Sequence, residues 1–227
     1  VTDSPVIALD GGGGVGKSTL GCRLAERFGF HLLVSGAFYR LVGLGLRQRG
    51  IAFTDAAAIE AFVAGLEVRF SAAADGAGVE CNGRRVDADI AGEDAAAAAS
   101  LAARSAPVRA ALLASQRAFR RPPGLVADGR DMGTVVFPDA ALKVFLTASV
   151  EERARRRHKQ LRERGFSVTL EALTRELEER DRRDASRAIA PLRAADDAVV
   201  LDTTRQSVAE TLLAIAALAA ERNMKAQ

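Results

Sequence analysis

Tryptophan is absent from this chain and tyrosine occurs once, at Tyr39, so aromatic residues make up only 5% of it. The densest basic run, Arg153 to Lys159, contains no phenylalanine, tyrosine or tryptophan, and the formal net charge is a modest +3. A nucleic-acid-binding module that stacks bases between basic side chains is therefore disfavoured, although it remains an alternative of another class. Cysteine is limited to Cys22 and Cys81, which lie in different segments without C-x-x-C spacing. Neither a disulfide framework nor a zinc site is indicated. No apolar run approaches the ~18 residues that span a bilayer, and the first residues lack a basic region followed by a cleavable apolar stretch. A cytoplasmic protein without a membrane partner is expected. Lysine is scarce as well: the chain carries 28 arginines and only Lys17, Lys143, Lys159 and Lys225. That bias matters because the planar guanidinium fork binds phosphate oxygens two at a time.

The remaining composition, 48% apolar and 27% charged over 227 residues, is that of a globular protein with room for one domain and a small insert. Short apolar runs alternate with longer helical patterns, which predicts βαβ units around a parallel sheet. Buried strands are expected at 6–9, 31–33, 125–127, 143–146 and 198–201, and helices at 17–28, 36–49, 107–120, 149–164, 170–182 and 207–220. The fold class is thus α/β, a doubly wound five-stranded parallel sheet flanked by helices. Two helices open with S-x-x-E capping boxes, Ser149 with Glu152 and Ser207 with Glu210. One region departs from the alternation: LEVRF at 66–70 reads as a strand, DGAG at 75–78 as a turn, and VECNGRRV at 79–86 as a second strand carrying its own Asn-Gly hairpin. This predicts an antiparallel insert. The alanine-rich stretch 95–103 has high helix propensity.

The strongest local signal is DGGGGVGKST, Asp10 to Thr19, set between an expected strand and an expected helix. Gly11, Gly16, Lys17 and Ser18 match G-x-x-x-x-G-K-[ST], the phosphate-binding P-loop pattern. Bare amides from Gly11, Gly12, Gly13, Gly14, Val15 and Gly16 and the helix N-terminus at Lys17, Ser18 and Thr19 would surround a nucleotide's phosphates. Lys17 would add charge at the β- and γ-phosphates, and the Ser18 hydroxyl would bind magnesium. Gly12 and Gly13 are not required by the pattern. No N-K-x-D guanine signature occurs, which argues against a regulatory GTPase, and the short chain favours a small-molecule kinase without fixing its acceptor. A second acid, Asp128, falls at the end of an expected strand and is a possible magnesium partner; Arg130 and Asp131 follow it toward the substrate.

Four clusters accompany the loop: LLVSGAFYR at 32–40, SLAARSAPVR at 100–109, LVADGRDMGTVVFPDA at 125–140 and ERDRRDASRAIAPL at 179–192. Together these resemble, nearly end to end, the bacterial cytidylate kinases, which phosphorylate CMP and dCMP with ATP. The resemblance implies that Arg130 binds the acceptor phosphate and Asp131 the cytosine amino group. It implies that Ser100 and Arg109 contact the cytosine ring, that Ser35 and Arg40 lie beside the acceptor nucleotide, and that Asp184 and Arg187 hold its sugar. Arg180 would bridge the phosphates from a mobile lid, so that Lys17, Arg130 and Arg180 form the catalytic set with ATP and magnesium. The chain would be a single domain, 1–227, with a monophosphate-binding insert at about 64–90 and a lid at about 151–187, acting as a monomer without nucleic acid. Two departures from the family pattern stand out: Val34 replaces a common Asp, removing one negative charge, and Gly12-Gly13 replaces Pro-Ser or Pro-Ala. Another small P-loop kinase, acting on UMP, AMP or a non-nucleotide such as shikimate, is the nearest alternative. A weakened ATP-binding regulatory relative, suggested by Val34, is a further one.

Overall fold

The computed structural model describes residues 4–73, 76–163, 165 and 167–224. Its centre is strand β1 (Val6–Gly11), every residue of which is buried. Successive side chains of β1 serve opposite faces of the sheet: Val6 and Ala8 join one apolar core, Ile7 and Leu9 the other. A strand buried on both faces reads as a continuous apolar run, which is why VIAL carries no polar alternation. The other strands of this sheet are β2 (His31–Val34), β6 (Leu125–Asp128), β7 (Leu142–Thr147) and β8 (Val199–Asp202). They lie in the order β2-β6-β1-β7-β8, and every neighbouring pair is parallel.

Helices cover both faces. On one side α1 (Lys17–Phe28) and α8 (Val208–Ala220) contribute Leu20, Leu24, Phe28, Ile215 and Ala219. On the other, α2 (Ser35–Gln48), α3 (Ala56–Ala64) and α5 (Ala106–Arg117) contribute Phe38, Leu46, Ile59, Val63 and Leu112. Each such leucine, isoleucine, valine or phenylalanine taken out of water stabilises the fold by ~1.5–3 kcal/mol. The alanine-rich segment becomes α4 (Glu93–Ala102), which packs closely on α2. At Gly43 of α2 a Cβ would sit 2.6 Å from the Ala98 carbonyl oxygen, so small residues on both helices are a condition of their approach.

The insert is a three-stranded antiparallel sheet of β3 (Val68–Ala73), β4 (Gly76–Cys81) and β5 (Arg84–Arg85). Asn82 and Gly83, with φ of 49° and 75°, form the expected hairpin between β4 and β5. The DGAG expectation needs correction: Gly76, Ala77 and Gly78 pair with Ala73, Ala72 and Ser71 inside the ladder, while Asp75 lies outside the described residues. The first insert strand also starts two residues later than expected and runs further. Val79, Val86 and Ile90 of the insert pack with Ala95 of α4 and with Leu41 and Leu44 of α2, which ties the insert to the body of the protein.

The two helices α6 (Val150–Glu163) and α7 (Leu170–Ala185) pair around a small core of Ala154, Leu173 and Leu177. The end of the expected helix at Arg164 lies outside the described residues. The capping box at Ser207 and Glu210 forms in full. The one at Ser149 forms by half: its hydroxyl accepts the Glu152 amide at 3.3 Å, but its own amide donates to Thr204 Oγ1 at 3.0 Å. The Glu152 carboxylate is taken instead by Arg155 and Arg156, at 2.7 and 3.0 Å.

Candidate active site

The glycine loop leaves β1 at its carboxyl end, where open parallel sheets hold their ligands. Gly11 has φ 147°, and a Cβ there would overlap the Leu146 carbonyl of β7, so the chain can turn away from the sheet only as glycine. Helix α1 then begins at Lys17 with no side-chain cap and no acid in its first turn. Uncapped amides and the helix dipole together make an anion site. Lys17 itself is buried, and its Nζ donates to the carbonyls of Gly11 and Gly12 at 2.8 and 2.7 Å. Burial, reinforced by the Arg130 charge, lowers its pKa from 10.5 to about 7.

A proton is thus easily lost from Lys17 at neutral pH, and an incoming polyphosphate would hold it in place. The sign is clear: below about 7 the ammonium is present in the free protein, and above it binding must first recover a proton. Affinity for a polyphosphate is expected to fall by up to about tenfold per pH unit through the alkaline range. Titration calorimetry in buffers of different ionisation heat should show proton uptake there, and pH-independent affinity from 7.5 to about 9 would contradict this state of Lys17.

Two oxygens stand beside the loop. The Ser18 hydroxyl donates to Asp128 Oδ2 at 2.7 Å, and Asp128, at the end of β6, is only 4% exposed. A hydroxyl and a carboxylate held this close suit a hard cation that prefers oxygen and keeps water and phosphate as its other ligands. Val34 pairs in register with Asp128 at the end of β2, so the charge missing at position 34 is missing beside this acid.

Basic groups converge from four elements on the same end of the sheet. Arg130 donates to Asp184 Oδ2 at 3.0 Å, and Arg187 donates to Asp184 Oδ1, so one buried carboxylate of α7 holds two guanidinium groups. Arg40 of α2 donates to the Ile90 carbonyl at 2.7 Å. The groups act on one another electrostatically. Burial and then Arg130 lower the pKa of Arg180 to about 10, with a smaller effect from Arg40. Arg40 is likewise lowered by burial and by Arg157 and Arg130, and Arg187 by burial, with Arg130 and Arg109 adding to the fall against the pull of Asp184. Like charges gathered in partly dry surroundings cost stability until anions arrive.

Next to them lies a more enclosed corner. Arg109 of α5 donates to Asp131 Oδ2, both side chains being at most 10% exposed, and its guanidinium lies 5.9 Å from the Tyr39 ring centroid. Arg109 also reaches the Ala103 carbonyl at 3.4 Å, one turn beyond Ser100, which is half-buried on α4. Ser35, at the start of α2, donates to Gln116 Oε1 at 2.8 Å, and both are buried.

The model of the family described as cytidylate kinase matches residues 7–221. The chain belongs to the cytidylate kinase family. It is 50% identical over 222 residues to a cytidylate kinase of Stutzerimonas stutzeri, covering 97% of both chains. It is 54% identical over 205 residues to one of Paraburkholderia phymatum, covering 90% of this chain and 88% of that one.

Several residues beside the glycine loop and the arginine cluster are not marked by the motifs. Arg153 of α6 is buried and spans three segments: it donates to Ala148 O at 3.1 Å, to Gly13 O at 3.1 Å and to Asp181 Oδ2 at 2.6 Å. The α6–α7 pair thereby rests on the glycine loop. A Cβ at Gly12 would come within 3.1 Å of Asp181 Oδ1 and 3.2 Å of Arg153 Nη1, and one at Gly13 within 3.5 Å of Leu177 Cδ2. The two glycines beyond the loop pattern are where α6 and α7 come down. The basic run is only in part a solvated helix face: Arg155, Arg157 and Lys159 are exposed, whereas Arg156 is half-buried and donates to the Thr203 carbonyl at 2.5 Å. Asp10 is 5% exposed and accepts the amides of Met132 and Gly133, each at 2.8 Å. Burial raises its pKa to about 6 against the pull of those amides.

Proposed function

We propose that this chain transfers the γ-phosphoryl group of ATP directly to the phosphate of CMP or dCMP. The observation that supports it most is the mutual electrostatic influence of Lys17, Arg40, Arg130, Arg180 and Arg187 at the carboxyl end of β1 and β6. Two polyanions must be brought within bonding distance, and repulsion between them is the main obstacle. A phosphate monoester has its second pKa near ~6, so the CMP phosphate is already an anionic nucleophile at neutral pH and no general base is required. Catalysis is then positioning plus charge stabilisation.

In this reading the loop amides and Lys17 hold the β- and γ-phosphates of ATP. Ser18 and Asp128 would hold magnesium, which when bound neutralises charge on those phosphates. Arg40 and Arg130 take the acceptor phosphate, Arg180 spans the transferring group, and Asp184 keeps Arg130 and Arg187 aimed into the cleft. Asp131, oriented by Arg109, accepts from the cytosine amino group, where uracil would present an acceptor. Ser35 and Ser100 complete the acceptor side. Residues at about 64–90 serve as the monophosphate-binding insert and those at about 151–187 as the lid, whose closure excludes water that would otherwise take the phosphoryl group. The enzyme would act as a cytoplasmic monomer. Among the described residues, no helix is long and apolar enough to cross a membrane.

Initial rates of ADP formation with CMP, dCMP, UMP and AMP test the assignment. The cytosine nucleotides are expected to exceed the other two in kcat/KM by about a hundredfold or more. Equal rates with UMP, or turnover of AMP alone, would reject it.

A further inference from the structure

Asp131 stands at the first position of a wide single turn, Met132–Val136, yet its side chain makes no capping bond to that turn. An aspartate in such a place ordinarily folds its carboxylate back onto the next free amides. Here the Gly133 amide, the nearer of its two usual partners, is already occupied, together with that of Met132. Met132 N–H and Gly133 N–H both donate to the two oxygens of Asp10, which reaches across from the end of β1. Asp131 is left free to face Arg109.

We infer that Asp10 is a positioning residue for recognition of the acceptor base: by capping the turn in place of Asp131, it keeps the Asp131 carboxylate available to the cytosine amino group, a role that rests on the reading of Asp131 proposed above. Three features support this beyond the two bonds. The position is costly to fill with an acid, because β1 is otherwise apolar up to Leu9 and Asp10 is buried at the sheet's centre. The carboxylate gives each of two consecutive donors its own oxygen, which serine or asparagine, with a single acceptor atom, does not. At Gly133 a Cβ would meet Lys143 Cδ at 3.1 Å and touch Asp10 Oδ2 at 3.4 Å, so glycine lets the turn lie close against both side chains.

Asp10→Asn keeps the volume but offers one acceptor where two are needed. Asp131 is then expected to turn back onto the unsatisfied amide, raising the CMP KM about tenfold and cutting the CMP-over-UMP preference about as much. ATP KM is expected to change less than CMP KM, since the Asp10 charge acts on Lys17 only weakly beside burial, Arg130 and Asp128. Gly133→Ala presses the turn away from Lys143 and Asp10 with the Asp10 charge intact, and should shift the same two quantities in the same direction. It also decides the matter should Asp10→Asn fail to fold. If ATP and CMP KM move together in the folded variants, Asp10 supports the glycine loop instead and the inference is wrong. Asp131→Ala and the native enzyme are measured alongside. A native enzyme without CMP preference overturns the functional assignment and this inference with it. A native preference lost in Asp131→Ala but kept in Asp10→Asn and Gly133→Ala overturns only the role given to Asp10.

Discussion

Arg180→Ala is expected to lower kcat for CMP phosphorylation by about a thousandfold while leaving the ATP KM within about threefold of the native value. The asymmetry follows from where Arg180 stands. Its Cδ is the atom that a Cβ at Gly13 would meet at 3.7 Å, so it hangs over the loop from α7 without being part of the nucleotide cradle. Its charge is already disfavoured by burial and by Arg130, and its pKa is lowered to about 10, so it remains a cation at every working pH. Such a group gains most when negative charge spreads over the transferring phosphoryl, which happens in the transition state and not in the bound ground state. Arg180→Lys should recover only part of the rate, because an ammonium cannot bridge two oxygens in a plane as the guanidinium does. Single-turnover measurements separate the chemical step from product release; an unchanged chemical rate would remove Arg180 from the mechanism.

Asp131→Ala should reduce kcat/KM for CMP by about a hundredfold and leave UMP nearly unaffected, so that the two substrates approach each other. A site built to bond a particular polar edge discriminates strongly because the wrong base leaves buried groups unpaired. Both Asp131 and Arg109 are at most 10% exposed, so little water is at hand to compensate. Removing the acid leaves the Arg109 guanidinium the Ala103 carbonyl at 3.4 Å and the Tyr39 ring as its neighbours. A uniform fall for CMP and UMP would mean that Asp131 holds the fold of the turn and does not read the base.

Strands β1, β2 and β6 were legible because they are largely buried and therefore appear as VIAL, HLL or LVA without a polar alternation to confuse them, whereas β8, expected as a buried strand, lies at the sheet edge with Val200 57% exposed. Lys17 and Ser18 were legible because phosphate chemistry constrains both residue type and spacing. Helix α3 was not expected, although Asp55 caps it through a bond to the Ala58 amide; nine residues of mostly alanine give too weak a period for the cap to be noticed. Elsewhere, competition between partners decided the outcome. Glu152 could have completed a capping box but lies within reach of two arginines, and a sequence does not say which donor prevails. Arg153 looks no different from its neighbours in RARRRHK, yet it alone of that run turns inward to Gly13 and Asp181, because the helix phase relative to the loop is set by the packing of Leu173 and Leu177. Asp10 and its two amides are 122 and 123 residues apart in the chain, beyond the reach of any local pattern.

The convergence of two anionic substrates on one set of cations is tested most directly by the inhibition pattern of a bisubstrate analogue, cytidine and adenosine joined through five phosphates. Such a molecule should compete with ATP and with CMP alike, and bind more tightly than either. Competition with one nucleotide but not the other would place the phosphate sites apart and contradict a shared cleft.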